Sequence, residues 1–266
     1  MALIIFDVDG TLKPYFHKIP NSTFKAIDSL KKAGHSIAIA TGRSFSETKR
    51  IAELFNINYL ICNGGSEVIV DGEWIYQDYL DNKYIQEISL SLKKQKVPYI
   101  IYNENNSYST YFPKVIKFII VFLSLLSFYL LKLSTLKTYV KMIKNVKVVN
   151  KHGDELVLIK KVFFLTYNKP LLSEKYEIRK KWFINTIEFE CKEVGIICLM
   201  DKILEKKVIV FGDGNNDLSM FKLADESIAM GNAKEKLKNK ASYITTKTHK
   251  DGIYKACEYF NYFKDF

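Results

Sequence analysis

A run of four apolar residues, Leu3-Ile4-Ile5-Phe6, ends without transition in Asp7-Val8-Asp9-Gly10-Thr11. Short unbroken apolar runs closed by polar residues and glycine read as strands buried on both faces, as in the middle of a parallel sheet. In an open α/β sheet the site lies beyond the carboxyl ends of such strands, where Asp7 and Asp9 fall. Two close carboxylates repel each other when both are ionised, so the pair needs a cation or a shared proton. The pattern returns twice. Ile37-Ala38-Ile39-Ala40 runs into Thr41-Gly42-Arg43-Ser44, and Val208-Ile209-Val210-Phe211 runs into Gly212-Asp213-Gly214-Asn215-Asn216-Asp217.

Around these runs the first third alternates: strand 3–7, helix 22–33, strand 36–40, helix 44–55 and strand 59–62. Asn21 or Ser22 suits the cap of the first helix, and Gly34 its stop. Such alternation predicts a parallel sheet with helices packed on it. Asn63-Gly64-Gly65 then breaks the chain, and 67–70, Asp71-Gly72 and 74–76 read as a hairpin. In the middle the pattern predicts helices over 82–94 and 173–181, with strands over 99–102, 108–112, 146–149, 155–160, 162–167 and 184–189. The early rhythm resumes with helices over 194–204, 217–224, 233–240 and from Gly252, and strands over 208–211, 227–230 and 243–245. The expected fold class is α/β: a doubly wound, Rossmann-like parallel-sheet core from 1–80 and 189–266, with an inserted α+β cap domain over 81–188.

Lys and Arg number 40 against 29 Asp and Glu, a formal charge of +11. The lysines are scattered, with no basic block interleaved with aromatics. That argues against a nucleic-acid partner, while a general positive field favours phosphorylated substrates. Cys62, Cys191, Cys198 and Cys257 show no metal-ligand spacing and read as reduced thiols of a cytosolic protein. No basic leader with a cleavage site precedes the first strand. Residues 118–131 carry no charge, but 14 residues fall short of a bilayer span. A buried or groove-lining helix is expected there, with membrane contact as the alternative.

In order and content, Asp7-Val8-Asp9-Gly10-Thr11-Leu12, Thr41-Gly42-Arg43-Ser44 and Gly212 to Asp217 resemble the phosphate-and-metal motifs of the haloacid dehalogenase superfamily, most of whose members are magnesium-dependent phosphatases. Asn63-Gly64-Gly65, Met230-Gly231-Asn232-Ala233 and Asp251-Gly252-Ile253 are similar to its Cof-like phosphatase branch. The resemblance implies Asp7 as a nucleophile forming an aspartyl-phosphate and Asp9 as the acid/base. It implies Mg²⁺ held by Asp7, the main-chain carbonyl of Asp9 and Asp213, with Asp217 nearby or acting through water. Thr41 and the Gly42 amide take positions that hold the phosphate, Asn216 one that contacts the phosphate or the nucleophile, and Arg43 and Asn63 positions near the substrate. Lys192, followed here by Glu193, takes the place of the third-motif lysine. Each polar residue also has an ordinary structural use: Thr41 suits a helix cap, Asn216 a turn and Arg43 a surface ion pair. The expected activity is Mg²⁺-dependent hydrolysis of a small phosphorylated metabolite, a sugar phosphate first. A phosphomutase, or a catalytically weak binding or membrane-associated protein, is the alternative.

Overall fold

The computed structural model describes residues 1–103, 106–111, 146–149, 159–165, 178–181, 184–189, 191–205 and 207–264. From its start the chain forms β1 (Leu3–Phe6), α1 (Asn21–Lys32), β2 (Ser36–Ala40), α2 (Phe45–Phe55), β3 (Tyr59–Cys62), β4 (Glu67–Val70) and β5 (Glu73–Gln77). There follow α3 (Asn82–Lys94), β6 (Tyr99–Tyr102), β7 (Ser107–Ser109), β8 (Val146–Val148), β9 (Lys161–Leu165), β10 (Ile178–Lys181) and β11 (Ile184–Glu188). The last third holds α4 (Lys192–Met200), β12 (Val208–Gly212), α5 (Leu218–Leu223), β13 (Glu226–Ala229), α6 (Glu235–Lys238), β14 (Tyr243–Ile244) and α7 (Gly252–Tyr259). Two compact units result: Met1–Gln77 with Glu190–Phe266, and Asp78–Phe189.

The first unit is built on a sheet of order β14-β13-β12-β1-β2-β3-β4-β5. The six strands from β14 to β3 run parallel, and β4 and β5 turn antiparallel at the edge. Leu3 and Ile5 pack with Ile196 and Leu199 of α4 and Met220 of α5. Ile4 and Phe6 pack on the other face with Ile27 and Leu30 of α1, Phe55 of α2 and Ile253 of α7. Burial on both faces is why β1 and β12 are apolar without alternation. Each of these side chains contributes about 1.5–3 kcal/mol through burial. Phe6 lies opposite both Phe211 and Ile39, so the three acid- and hydroxyl-bearing strand ends finish at one level. Strand order reverses between β1 and β12, and a doubly wound sheet opens its crevice at such a reversal. Asp71 and Gly72, both with positive φ, close the β4–β5 hairpin in the left-handed conformation that a two-residue turn requires.

The second unit carries a sheet of order β10-β11-β9-β6-β7-β8, antiparallel except for the β7–β8 pair. Helix α3 buries Tyr84, Ile85, Ile88 and Leu92 with Tyr99, Ile101, Val162, Phe164 and Ile187. Asp81 caps it by accepting the Tyr84 N–H at 2.8 Å.

Some expectations fail locally. The helix expected over 173–181 is, in its described part, strand β10, paired with β11 from Ile178↔Ile187 to Lys181↔Ile184. Cross-strand pairing there overrides the helical tendency of the basic residues. Helix α1 begins at Asn21, with Pro20 rather than Asn21 or Ser22 in the cap position. Helix α4 spans Lys192–Met200 instead of 194–204, which makes Lys192 its first residue. The expected features at 118–131, 155–158 and 173–177 lie outside the described residues. Among the described residues no helix is long and apolar enough to cross a membrane.

Candidate active site

Asp7 follows β1 directly, and its N–H donates to the Phe211 carbonyl at 3.0 Å. Beyond β12 the chain turns through Asp213 and a 3-10 turn at Asn215–Asp217 into α5. Asp217 is fully buried, and both of its oxygens are used. Oδ2 accepts the N–H groups of Asp213 and Gly214, each at 2.9 Å, and Oδ1 accepts Lys192 Nζ at 2.6 Å. Lys192, only 1% exposed, also donates to Asp7 Oδ1 at 2.6 Å. One buried ammonium thus bridges two buried carboxylates.

Glycines bring that lysine in. Gly65 has φ +105, and a Cβ there would lie 2.1 Å from the Cys191 carbonyl oxygen. The Cys191 N–H donates to the Gly64 carbonyl at 2.9 Å. A Cβ on Gly195 would lie 2.4 Å from Ile61 Cγ2. The glycine turn after β3 therefore lets the start of α4 approach close enough for Lys192 to reach the strand ends.

Asp7, Asp213 and Asp217 bring carboxylate oxygens within 4.8 Å of one another. Burial, then the Asp217 charge, pushes Asp7 well above the usual carboxylate range, with Lys192 opposing. The same two causes push Asp213 up to about 7, with hydrogen bonds from Tyr15 and Asn232 and the Lys192 charge opposing. Burial works against the Lys192 ammonium, but Asp217 and then Asp7 outweigh it and hold the group charged above its ordinary range. One cation among three carboxylates leaves an excess of negative charge on hard oxygen donors, a set that fits a divalent ion such as Mg²⁺.

Asp9 is the accessible acid, its side chain 39% exposed. Arg43 grips it in fork geometry, Nε to Oδ2 at 2.8 Å and Nη2 to Oδ1 at 2.6 Å. Thr41 is buried, and its Oγ1 accepts the Arg43 N–H at 3.2 Å. It does not cap α2; Ser44 does, in a capping box with Glu47. A Cβ on Gly42 would meet nothing within 4 Å, so its backbone faces open space. Asn63 directs Nδ2 at Glu67 Oε2 (2.6 Å), and its N–H at the Arg43 carbonyl ties the ends of β2 and β3 together. Asn216 is half-buried on the turn after β12.

Three further residues join the site. Tyr15 donates its hydroxyl to Asp213 Oδ2 at 3.2 Å. The residue as a whole is exposed, but loss of water around the hydroxyl where it meets Asp213, then the Asp213 charge, pushes this phenol far above its ordinary range. Asn232 donates Nδ2 to the same oxygen at 3.3 Å and to the Gly10 carbonyl at 2.9 Å. Thr248 holds Asn232 by donating its N–H to Oδ1 at 2.9 Å, and its hydroxyl lies within hydrogen-bond reach of both that oxygen, at 2.7 Å, and the Gly10 carbonyl, with one hydrogen to give to either. Asn232 lies in a stretch that the sequence resemblance includes. Tyr15 sits in a loop and Thr248 opens a 3-10 turn, with no pattern to mark either.

Phosphoryl transfer calls for carboxylates with positive charge beside them, and the strand ends bring Asp7, Asp9, Asp213 and Asp217 together with Lys192 and Arg43 on a doubly wound sheet. That combination places the protein among the phosphohydrolases of the α/β class. The chain belongs to the haloacid dehalogenase-like hydrolases, whose family model matches residues 4–257, and it is a phosphoric monoester hydrolase of the Cof-like branch. YkrA of Bacillus subtilis is 27% identical over 263 residues, covering 94% of each chain. Solved structures share the fold, two among them as follows. BT1666 of Bacteroides thetaiotaomicron, from a study of phosphatases of the superfamily, has a TM-score of 0.79 at 22% identity, covering 98% of this chain and 96% of that one. The subclass IIB sugar phosphatase BT4131 has a TM-score of 0.71 at 24% identity, covering 98% and 100%.

Proposed function

We propose that the protein is a cytosolic, Mg²⁺-dependent phosphatase that removes phosphate from a small phosphorylated metabolite through an aspartyl-phosphate on Asp7. The observation that carries this is Lys192 Nζ, 2.6 Å from both Asp7 and Asp217 inside a buried acidic cluster. Lys192 fixes Asp7 Oδ1 and leaves the second oxygen to attack phosphorus, forming the Asp7–phosphorus bond as the bond to the leaving oxygen breaks. Asp9, once its carboxyl leaves the Arg43 fork and carries a proton from solvent, gives that proton to the leaving oxygen. It then takes a proton from the water that attacks phosphorus, frees inorganic phosphate and restores Asp7. Thr41, the Gly42 amide and Asn216 receive the phosphoryl oxygens. Asp7, the Asp9 main-chain carbonyl and Asp213 would hold Mg²⁺, which supplies charge neutralisation at the transferred group. Asp217 serves by holding Lys192 and the Asp213–Gly214 amides.

A sugar phosphate is the substrate class favoured, in keeping with the sugar phosphatase BT4131. The unit Asp78–Phe189 is assigned the choice among such substrates. Four free cysteines accord with a reducing compartment.

The test is phosphate release from a panel of phosphorylated sugars and other small phosphate esters, with Mg²⁺ or with EDTA, for wild type and Asp7→Asn. Metal-dependent release that falls at least ~10³-fold in the variant is expected. Wild-type rates from Asp7→Asn, or release indifferent to EDTA, would defeat the mechanism. Phosphoryl transfer to a second sugar in place of free phosphate would mark a mutase.

A further inference from the structure

We propose that Tyr15 is a positioning residue for the divalent cation: its hydroxyl fixes Asp213 Oδ2, so that Asp213 presents its other oxygen to the metal. This rests on the Mg²⁺ reading given above.

The geometry is specific. Tyr15 lies in the loop between β1 and α1, and its ring stands against Gly10, which has φ +87. A Cβ on Gly10 would lie 2.6 Å from Tyr15 Cε2 and 2.0 Å from Asp213 Oδ2, so only glycine lets ring, backbone and carboxylate meet. Tyr15 at 3.2 Å and Asn232 at 3.3 Å donate to the same oxygen, Oδ2. No side chain among the described residues donates to Oδ1. Two donors on one oxygen restrain rotation of the carboxylate and leave the other oxygen as the ligand atom. The ordering needed for metal binding is thereby made in advance.

The two donors are held differently. Asn232 is fastened on both sides, since its Oδ1 accepts from Thr248 and its Nδ2 also serves the Gly10 carbonyl. Tyr15 is 58% exposed, so little of the core depends on its ring. The hydroxyl can therefore be removed without disturbing the fold, which makes its contribution measurable.

The experiment is calorimetric titration of Mg²⁺ alone into wild type and Tyr15→Phe, with the melting temperature of each metal-free protein. Phe keeps the ring and loses only the hydroxyl. Loss of one partner that orients a metal ligand weakens affinity about 10- to 100-fold. The expected result is the low end, a Mg²⁺ dissociation constant raised about tenfold, with melting temperatures within about 1 °C. In phosphate release, the Mg²⁺ concentration giving half activity should rise by the same factor, with the wild-type rate recovered at saturating Mg²⁺. An unchanged constant would overturn the role of Tyr15 and leave the Mg²⁺ reading intact. A tighter constant would show that the hydroxyl competes with the metal, which also overturns it. Wild type that binds no Mg²⁺ would overturn both.

Discussion

Gly65→Ala isolates the way Lys192 is delivered to Asp7. The new Cβ would lie 2.1 Å from the Cys191 carbonyl oxygen and 2.9 Å from Lys192 Cα. Carbon–oxygen contacts settle near about 3.3 Å, so the start of α4 must retreat by roughly 1 Å. Residue 65 has φ +105, where a side chain costs about 1–3 kcal/mol, and crowding adds about 1–3 kcal/mol more. Together they destabilise the protein by about 2–6 kcal/mol, read as a lower urea midpoint at unchanged slope. The rate suffers separately. Both Lys192 contacts are 2.6 Å long, and a shift of roughly 1 Å at a reacting group costs about 10²-fold. Gly72→Ala is the matched control. Its φ is +87, yet nothing lies within 4 Å of the added carbon, so it loses about 1–2 kcal/mol and no activity. Mg²⁺-dependent hydrolysis of p-nitrophenyl phosphate measures the rates. A Gly65→Ala protein within about twofold of the wild-type rate would refute the reasoning, as would an equal loss in Gly72→Ala.

Two other perturbations bear on the charges. Lys192→Met leaves the buried Asp7 and Asp217 carboxylates without their shared cation. It should cost about 3–5 kcal/mol and lower the hydrolysis rate by at least ~10³-fold, and a variant that keeps a tenth of the rate would remove Lys192 from the reaction. His35 is buried, accepts the Ala2 N–H at Nδ1 (3.2 Å) and faces the Tyr262 carbonyl with Nε2 (3.0 Å). Burial holds it below its ordinary 6.5, so its stabilisation is present above pH 6.5 and is lost as pH falls through the folded-state value. Asp213, raised from 3.8 to about 7, works the other way: its stabilisation is full below pH 3.8 and lost as pH rises through about 7. Subtracting the melting temperatures of His35→Gln from those of wild type isolates the histidine. The difference should be largest at pH 8 and shrink toward pH 5; a constant difference would refute the assignment.

The sheet was readable because β1, β2 and β12 are buried on both faces, and that burial writes unbroken apolar runs that end where solvent and chemistry begin. Asp71-Gly72 announced its hairpin because few other residues tolerate two positive φ values in succession. The acids were readable for the same reason as the strands, through their position at the ends. Lys192 was harder. Its placement follows from Gly64 and Gly65 contacting Cys191 across the fold, a close approach that no local pattern records. Strand β10 was misjudged because Arg179, Lys180 and Lys181 carry no alternation, and only pairing with β11 makes them extended. Tyr15 left no signal at all. A phenol in a loop becomes part of a site only when Gly10 and Asp213 are brought beneath it.

The separation of Asp7 from Lys192, 185 residues along the chain, has a consequence during synthesis. Strands β1 and β2 leave the ribosome before β12, which pairs the other side of β1 and follows only after the Asp78–Phe189 unit has been made. At about 5–20 residues per second the interval lasts on the order of ten seconds. Throughout it Leu3-Ile4-Ile5-Phe6 forms an open strand edge, apolar and ready to pair with whatever strand comes near. Arrival of β12 closes that edge and brings Asp213 and Asp217 to Asp7 in the same event. A polypeptide ending before β12 therefore lacks Asp213 and Asp217 and leaves that apolar edge unpaired, a site for aggregation.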